Sequence, residues 1–400
     1  MKRKVYLDYT ATTFVSDEVL TEMLPVFSTN FANPSSTHTF GREALSFVDK
    51  ARDRVANAIN ADSSEIYFTS GGTESNNWAL MGLALANKSK GNHIITSQIE
   101  HHSILDTCKK LEAMGYKVTY LPVDEKGLVN IAELLHVINE KTVLISIMTA
   151  NNEIGTIQNI SAISKIAHER NVLFHTDAVQ AIGAVPLDVK NIGIDAMSMS
   201  SHKIYGPKGS GALYVKKGIK IDNLINGGNQ ENGKRGGTLN VPSIVGFGKA
   251  IEIACRDCTI NNKKIKTLKE YFVNRVKTEI EDVTVNGHNY QTLPGLVNIS
   301  FNFIEGEALM LLLDLEGIAV STGSACSAGN SESSHVLHAI GLPKAIVQGG
   351  IRFSIGKATT KDEIDYVVDV LKAKVKKLRE ISPLNKKSKL GGSCSCTQTK

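Results

Sequence analysis

The sequence lacks several features that define whole classes of protein. Six cysteines in 400 residues are too few for a disulfide scaffold and are typical of a reducing compartment. No uninterrupted apolar run approaches the roughly 20 residues that a membrane span requires. The basic start, residues 1–4, is not followed by the apolar stretch of a secretory signal, because Asp8 and a threonine run interrupt it. We therefore expect a cytoplasmic protein without a membrane segment.

Motifs for nucleic-acid readout and for metal binding are also missing. The sequence has no zinc-finger spacing, arginine-rich arm or stripe of aromatic and basic residues. The net charge of +5 is mild, and much of the excess lies in residues 372–389. That stretch is either a solvated helix face or a weak attractor of an acidic partner or RNA. Cys255 and Cys258 form a CxxC, but they lie within a helical pattern and no second CxxC accompanies them, so we predict no resident metal.

The pattern that is present predicts an α/β protein. The composition, 42% hydrophobic and 21% charged, is that of an ordinary globular chain with about two domains. Between residues 41 and 254, short apolar strands alternate with helices of crossover length, which predicts a mostly parallel sheet covered by helices on both faces. Beyond that region, strands and helices mix, which predicts a smaller α+β domain of roughly 120–140 residues.

Ligands of such sheets bind beyond the carboxyl ends of the strands, so the loops there are the candidate sites. Ser200, Ser201, His202 and Lys203 close one apolar strand and open a glycine-rich stretch. The lysine amine can condense with an aldehyde cofactor, and the hydroxyls and ring N–H can hold phosphate oxygens. Taken alone, a surface lysine beside a turn is the simpler interpretation.

Two more loops carry polar groups of a useful kind. Gly71 and Gly72 lie between a strand and a helix, where the backbone can approach an anion and the helix N-terminus attracts it. Thr73 could equally be a plain helix cap. Asp177 follows a buried strand, where it could pair with a protonated pyridine nitrogen or cap a helix.

Three other positions are ambiguous in the same way. His101 follows a strand and could stack on an aromatic ring and relay protons, or act as a cap. Asn151 and Asn152 suit contacts to a ligand, or a turn. Arg352 lies in an apolar strand and requires an anion, which is either a ligand carboxylate or an internal Asp or Glu.

Cys326 differs from the other cysteines because small residues surround it, from Gly323 to Gly329. Packing does not explain a thiol in such a loop. It could act as a nucleophile if its pKa is lowered, and a structural cysteine is the alternative.

Together these loops supply an amine, a pyridine partner, phosphate donors, a carboxylate clamp and a thiol. With these motifs in this order, the chain resembles the cysteine desulfurases of the NifS/IscS type, within the class V aminotransferase family of pyridoxal-phosphate enzymes. The resemblance extends from Val5 to about Leu378. The matching motifs are Val5–Asp8, Asn33–Ser36, Thr69–Asn76, Thr96–His101, Asn151–Gly155, His175–Gln180, Ser200–Gly211, Gly236–Thr238, Gly323–Cys326 and Arg352.

The resemblance implies a role for each matching residue. Lys203 would hold pyridoxal 5'-phosphate and abstract the Cα proton of the substrate. Asp177 would pair with the pyridine nitrogen, Gln180 with the ring hydroxyl, and His101 would stack on the ring and assist proton transfer. The phosphate would be bound by Gly72, Thr73, Ser200 and His202, with Thr238 reaching in from a second subunit.

The implied reaction is the removal of sulfur from L-cysteine. Asn152 and Arg352 would bind the substrate carboxylate, and Cys326 would attack the sulfur, which gives L-alanine and a Cys326 persulfide. The implied partners are a second copy of the chain in a homodimer and a sulfur acceptor, either an iron–sulfur scaffold or a tRNA-thiolation enzyme; a cluster would contact Cys326 only transiently.

Other readings remain open. A selenocysteine lyase and another class V aminotransferase share the fold, although an aminotransferase needs no loop thiol such as Cys326. A non-catalytic scaffold for sulfur transfer is disfavoured by the joint presence of Lys203, Cys326 and Arg352.

The resemblance also implies a domain division and shows two departures. A large cofactor-binding domain would cover 15–258, residues 1–14 and 259–385 would form the small domain with the cysteine loop, and 386–400 would be a flexible tail. Phe14 stands where the family often has proline. The tail lacks the ending by which housekeeping members bind their scaffold, and has Cys394 and Cys396 instead. Those thiols receive sulfur, chelate metal or have no function.

Overall fold

The computed structural model describes residues 3–322 and 333–383. Within these ranges the strands are β1 (Val5–Tyr6), β2 (Ile66–Thr69), β3 (His93–Ser97), β4 (Lys117–Leu121), β5 (Thr142–Ser146), β6 (Leu173–Asp177), β7 (Ala196–Ser200), β8 (Gly211–Val215), β9 (Val283–Asn286), β10 (Leu296–Phe301), β11 (Ile318–Ala319), β12 (Ser321–Thr322) and β13 (Gly350–Ser354).

The helices of the same ranges are α1 (Asp17–Met23), α2 (Pro25–Ser28), α3 (Thr39–Ala58), α4 (Gly72–Ala86), α5 (His102–Ala113), α6 (Ile131–Val137), α7 (Ile160–Glu169), α8 (Val189–Ile192), α9 (Val241–Arg256), α10 (Cys258–Glu279), α11 (Gly306–Asp314), α12 (His335–Ala339), α13 (Lys344–Val347) and α14 (Lys361–Ile381). Short 3-10 turns lie at Ser63–Glu65, Ser201–Lys203 and Gln230–Gly233. None of the described helices is long and apolar enough to cross a bilayer.

Seven strands form the principal sheet, in the order β2-β8-β7-β6-β5-β3-β4. The five strands from β7 to β4 are parallel to one another, whereas β8 is antiparallel to both β2 and β7. The connection from Ser200 to Gly211 contains only a short turn, and a return without a crossover helix is antiparallel. The prediction of a mostly parallel sheet is confirmed.

Both faces of this sheet are covered by helices. Consecutive residues of β5 belong to different cores, Leu144 to the one beneath α4 and α5 and Ile145 to the one beneath α3 and α9. Because side chains alternate along a strand, a strand buried on both sides is apolar throughout. This accounts for the continuous apolar runs in the sequence.

A second sheet lies in the C-terminal part of the chain, with the antiparallel order β12-β13-β10-β9. It has a core of its own with α10 and α14, in which Phe272, Phe301, Phe353 and Val367 are fully buried. Residues 318–322 form two short strands, because β11 pairs with β1 while β12 pairs with β13. The boundary at residues 258 and 259 stays a prediction.

Two cysteines are placed differently from the expectation. Cys255 and Cys258 were predicted to lie within one helix, but one helix ends and another begins between them. Cys255 lies in the last turn of α9 and Cys258 opens α10, with Asp257 between the two helices at φ −97° and ψ 3°. The single-helix prediction was wrong because a break of one residue leaves the apolar spacing almost unchanged.

Candidate active site

A cavity of about 350 Å³ lies at the edge where β3, β5, β6 and β7 end. It contains ten of the residues that were predicted to form the site, drawn from the ends of five strands and from strand β13. These residues are Gly72, Thr73, His101, Asn152, Asp177, Gln180, Ser200, His202, Lys203 and Arg352. Its wall also includes residues that were given no role, namely Thr10, Ala11, Asn76, Ser103, Met148, Ala150 and Val179.

Lys203 closes the short turn that follows β7, so its position depends on where that strand ends. Its Nζ donates hydrogen bonds to the carbonyl oxygens of Thr10, at 2.6 Å, and Ala11, at 2.7 Å. The N-terminal segment is held there by Thr13, whose hydroxyl donates to the His202 carbonyl at 2.9 Å. A segment almost two hundred residues away therefore sets the direction of the amine.

Asp177 is the last residue of β6, and its carboxylate is buried in the cavity wall. Asn76 Nδ2 donates to its Oδ2 at 2.6 Å, and the Val179 N–H donates to its Oδ1 at 2.9 Å. N–H donors on both oxygens stabilise the charged carboxylate and fix its plane. The group is thus suited to hold a cationic N–H of a ligand.

His101 caps α5, and its ring nitrogen Nδ1 accepts from the Ser103 N–H at 3.1 Å. Since a backbone N–H can only donate, the proton of the neutral ring is on Nε2. Burial is the main cause that lowers the pKa of His101; Lys203 lowers it further, while Asp177 opposes the shift. The ring is therefore neutral near pH 7.

Asn76 joins these groups into one network. Its second amide hydrogen goes to Ser103 Oγ at 2.9 Å, and Ser103 Oγ lies 2.8 Å from His101 Nδ1. The motif Thr69–Asn76 contained the residue, but its sequence position gave no hint that it links Asp177 to His101. Only the approach of α4 to α5 shows it.

The loop before α4 has the features of an anion site. Gly71 has a φ of +152°, and a second cavity of about 400 Å³ shares Gly72, Thr73, Ser200 and His202 with the first and extends to Lys208. Ser200 Oγ is buried and has no hydrogen-bond partner among the described residues. Burial, and next Lys203 and Lys208, lower the pKa of His202 to about 4. Backbone N–H groups, hydroxyls and a neutral imidazole surround a space open to a phosphate.

Arg352 lies on β13 with its guanidinium almost fully buried. Its Nη1 donates to the Asn152 carbonyl at 3.1 Å, and its Nη2 donates to Asp8 Oδ1 at 3.0 Å. The buried Nε has no partner among the described residues. From the sequence, the anion that pairs with Arg352 could be either a ligand carboxylate or an internal Asp or Glu. The structure shows that Asp8 is an internal partner, while Nε has no acceptor among the described residues.

Two predicted site residues, Thr238 and Cys326, lie apart from this cavity or outside the described residues, whereas Gln180 belongs to it. Gln180 lines the cavity and donates to the Thr10 carbonyl at 3.2 Å. Thr238 is exposed and does not line the cavity of its own chain. Cys326, together with Cys394 and Cys396, lies outside the described residues.

Comparison with known proteins decides the family. The family model described as "Aminotransferase class-V" matches residues 5–367. The chain belongs to the class-V aminotransferase family. It is similar to a protein named cysteine desulfurase IscS from Dictyoglomus turgidum, with 52% identity over 394 residues that cover 97% of this chain and 100% of that protein.

Solved structures with a similar fold agree with this. A NifS-like protein has a TM-score of 0.89 at 40% identity, over 94% of this chain and 100% of that one. A structure described as SspA in complex with cysteine has a TM-score of 0.80 at 38% identity, over 90% of this chain and 100% of that one. The chain is therefore a pyridoxal-phosphate-dependent enzyme of the class-V family.

The residues of the cavity fit that cofactor. The Ser200 hydroxyl is buried without a hydrogen-bond partner among the described residues, the Asp177 carboxylate is buried in the wall, and the Lys203 side chain lines the same cavity. A phosphate, a pyridine nitrogen and an aldehyde need these three kinds of group.

Proposed function

We propose that this enzyme is a cysteine desulfurase, which removes sulfur from L-cysteine and leaves L-alanine and a persulfide on Cys326. The observation that carries the proposal is that Arg352 lies in the wall of the same cavity as Lys203. The cavity thus combines an amine for an aldehyde cofactor with a guanidinium for a carboxylate, the group that every α-amino acid carries. The relatives named cysteine desulfurase and the neighbour solved with cysteine support the choice of amino acid.

The cofactor would be held by residues at both ends of the cavity. Asp177 and Gln180 would hold its ring, Lys203 its aldehyde carbon, and Ser200 and His202 its phosphate, with Gly72 and Thr73 completing the anion site. When bound, pyridoxal phosphate would withdraw electron density from the Cα of the amino acid and so make its proton easier to remove.

The chain's own residues would then bind the substrate and move its protons. Arg352 and the Asn152 side chain bind the carboxylate. Lys203 Nζ removes the Cα proton, and its contact with the Thr10 and Ala11 carbonyls keeps the amine directed into the cavity. Ser103 holds the Nδ1 side of the His101 ring, so the ring can donate a proton from Nε2.

The sulfur step balances without an added oxidant. The Cys326 thiolate forms an S–S bond to the substrate Sγ, and the Cβ–Sγ bond breaks with its electron pair on Cβ. Cβ gains one proton as the substrate thiol loses one, so the carbon is reduced to the methyl group of alanine and the sulfur is oxidised to the persulfide level.

The activity is tested with purified, cofactor-loaded protein. L-cysteine and a thiol reductant should yield alanine and sulfide in equal amounts. Cys326→Ser should keep the visible absorbance of the bound cofactor and lose sulfide release, whereas Cys255→Ser, which alters an exposed thiol elsewhere, should match wild type. Amino transfer to a keto acid instead of sulfide release, or a fully active Cys326→Ser, would show the proposal to be wrong.

We further propose a homodimer in which Thr238 serves the partner's cofactor site. Thr238 is exposed, and the segment that carries it is anchored by Arg235, which donates to the Glu74 carboxylate at 2.8 and 3.1 Å. The side chains of Phe27, Phe31 and Phe40 are also largely exposed in the single chain, as expected of an interface.

Mixing two damaged variants tests this arrangement. Lys203→Ala and Thr238→Ala should each be impaired alone, but a mixed dimer would contain one site with both residues intact. Activity should therefore return on mixing the two with subunit exchange. A mixture that stays at the average of the two variants would contradict a shared site.

The acceptor of the sulfur is proposed to be an iron–sulfur scaffold or a tRNA-thiolation enzyme of the cytoplasm. The name IscS of several relatives supports the first. Labelled sulfur from L-cysteine, followed from Cys326 to each purified acceptor, distinguishes the two, and parallel assays with L-selenocysteine test the lyase alternative.

A further inference from the structure

The side chain of Asp8 contacts Arg352 from outside the cavity. Arg352 lines the cavity, whereas Asp8 does not. The two side chains are 3% and 15% exposed, so the ion pair is mostly shielded from water. Charge-assisted hydrogen bonds in such surroundings are stronger than those on the surface.

Asp8 is itself held on two sides. Its Oδ1 accepts from Arg352 Nη2 at 3.0 Å, and its Oδ2 accepts from the Ser321 hydroxyl at 2.8 Å. Ser321 and Arg352 are cross-strand partners on β12 and β13. The backbone around Asp8 is tied to the same strand, since the Ser354 N–H donates to the Leu7 carbonyl at 2.7 Å.

This arrangement fixes the plane of the guanidinium before any ligand arrives. Asp8 engages Nη2 and the Asn152 carbonyl engages Nη1, which leaves the buried Nε without a partner among residues 3–322 and 333–383. A side chain with many rotamers loses less entropy on binding when it is already held in the productive one. Arg352 would therefore meet a carboxylate in a set orientation.

We propose that Asp8 is a positioning residue for carboxylate recognition, which holds Arg352 in place and is itself held by Ser321. This inference rests on the proposed function, in which Arg352 binds the carboxylate of L-cysteine. The N-terminal segment would then have two roles. The carbonyls of Thr10 and Ala11 accept hydrogen bonds from Lys203, and Asp8 holds Arg352.

The experiment compares cofactor-loaded Asp8→Ala, Ser321→Ala and the double variant with wild type. A matched control is Asp362→Ala, which removes an ion pair at the surface. Its partner Arg3 belongs to the same N-terminal segment as Asp8. Three quantities are measured: KM and kcat for L-cysteine, and Kd for L-alanine from the visible spectrum of the bound cofactor. L-alaninamide, which lacks the carboxylate, serves as a matched ligand.

Asp8→Ala should raise KM and the L-alanine Kd about tenfold, with kcat changed less, because a hydrogen bond to a charged group is lost. Ser321→Ala should raise both by about threefold. The double variant should be no worse than Asp8→Ala, since Ser321 acts through Asp8. Binding of L-alaninamide should not respond, and the control should match wild type.

Unchanged KM and L-alanine Kd in a loaded Asp8→Ala enzyme would overturn the inference, as would equal losses for L-alanine and L-alaninamide. If Asp8→Ala does not fold, Ser321→Ala alone decides by the same criteria. A wild-type enzyme without desulfurase activity would refute the proposed function, while the L-alanine titration would still test Asp8.

Discussion

Asn76 holds two groups of the cavity at once, and its removal gives a quantitative test of the site. Its Nδ2 donates to Asp177 Oδ2 at 2.6 Å and to Ser103 Oγ at 2.9 Å. In Asn76→Ala, the Asp177 carboxylate would keep one hydrogen bond among those the structure describes, from the Val179 N–H. The carboxylate would then be less well oriented toward the pyridine nitrogen that we propose it binds.

The size of the effect follows from the kind of bond. A buried hydrogen bond to a charged group contributes about 1.5–3 kcal/mol, and every 1.4 kcal/mol is a factor of about ten in a dissociation constant. Asn76→Ala should therefore raise the Kd for pyridoxal phosphate by roughly 10- to 150-fold, if the loss falls wholly on the bound state.

The measurement is equilibrium dialysis of pyridoxal phosphate against cofactor-free protein, read by visible absorbance. Asn87→Ala is the matched control, because Asn87 is a buried asparagine at the end of the same helix whose Nδ2 donates to the Leu83 carbonyl at 2.8 Å. That variant should lose stability but keep its cofactor affinity. A Kd for Asn76→Ala within about twofold of wild type would refute the reasoning on Asp177.

Three further predictions concern stability. Burial raises the pKa of Glu100 from 4.5 to about 8, so the folded state holds a proton that the unfolded chain releases. The free energy of unfolding should therefore fall as the pH rises from about 4.5 to 8, by up to about 1.4 kcal/mol per pH unit. Urea unfolding of Glu100→Gln should lack this pH dependence. Arg52→Ala leaves the buried Glu231 carboxylate without the two 2.7 Å bonds from that guanidinium and should cost about 3–5 kcal/mol in urea unfolding; an unchanged midpoint would contradict it. A Cβ at Gly211 would lie 2.7 Å from the Gly71 Cα, so Gly211→Ala should cost about 1–3 kcal/mol and weaken cofactor binding in dialysis, and unaltered binding would argue against a rigid anion loop.

Much of the fold and the position of the site could be predicted from the sequence. The alternation of apolar strands and helices implies parallel strands, and their carboxyl ends share one edge, so Asp177 and Lys203 were expected near each other. The structure brings them to one cavity, together with His101 and Arg352. The antiparallel β8 was not foreseen, since periodicity reports burial and not strand direction.

The contacts between distant loops could not be predicted. The carbonyls of Thr10 and Ala11 receive the Lys203 amine across more than 190 positions of sequence, and no local pattern reports a backbone oxygen as an acceptor. The link from Asn76 through Ser103 to His101 depends in the same way on how α4 packs against α5.

The order of residues specifies which chemical groups are available: the amine, the carboxylate, the guanidinium and a loop thiol, in an order typical of the family. Which of these groups meet depends on how the chain packs in three dimensions. It places Asp8 against one nitrogen of Arg352 and leaves another buried nitrogen of that residue without a partner among the described residues. Residue types persist along the chain regardless of folding, whereas the partner of a buried charge is set by packing, because only a folded interior excludes the water that would otherwise solvate it.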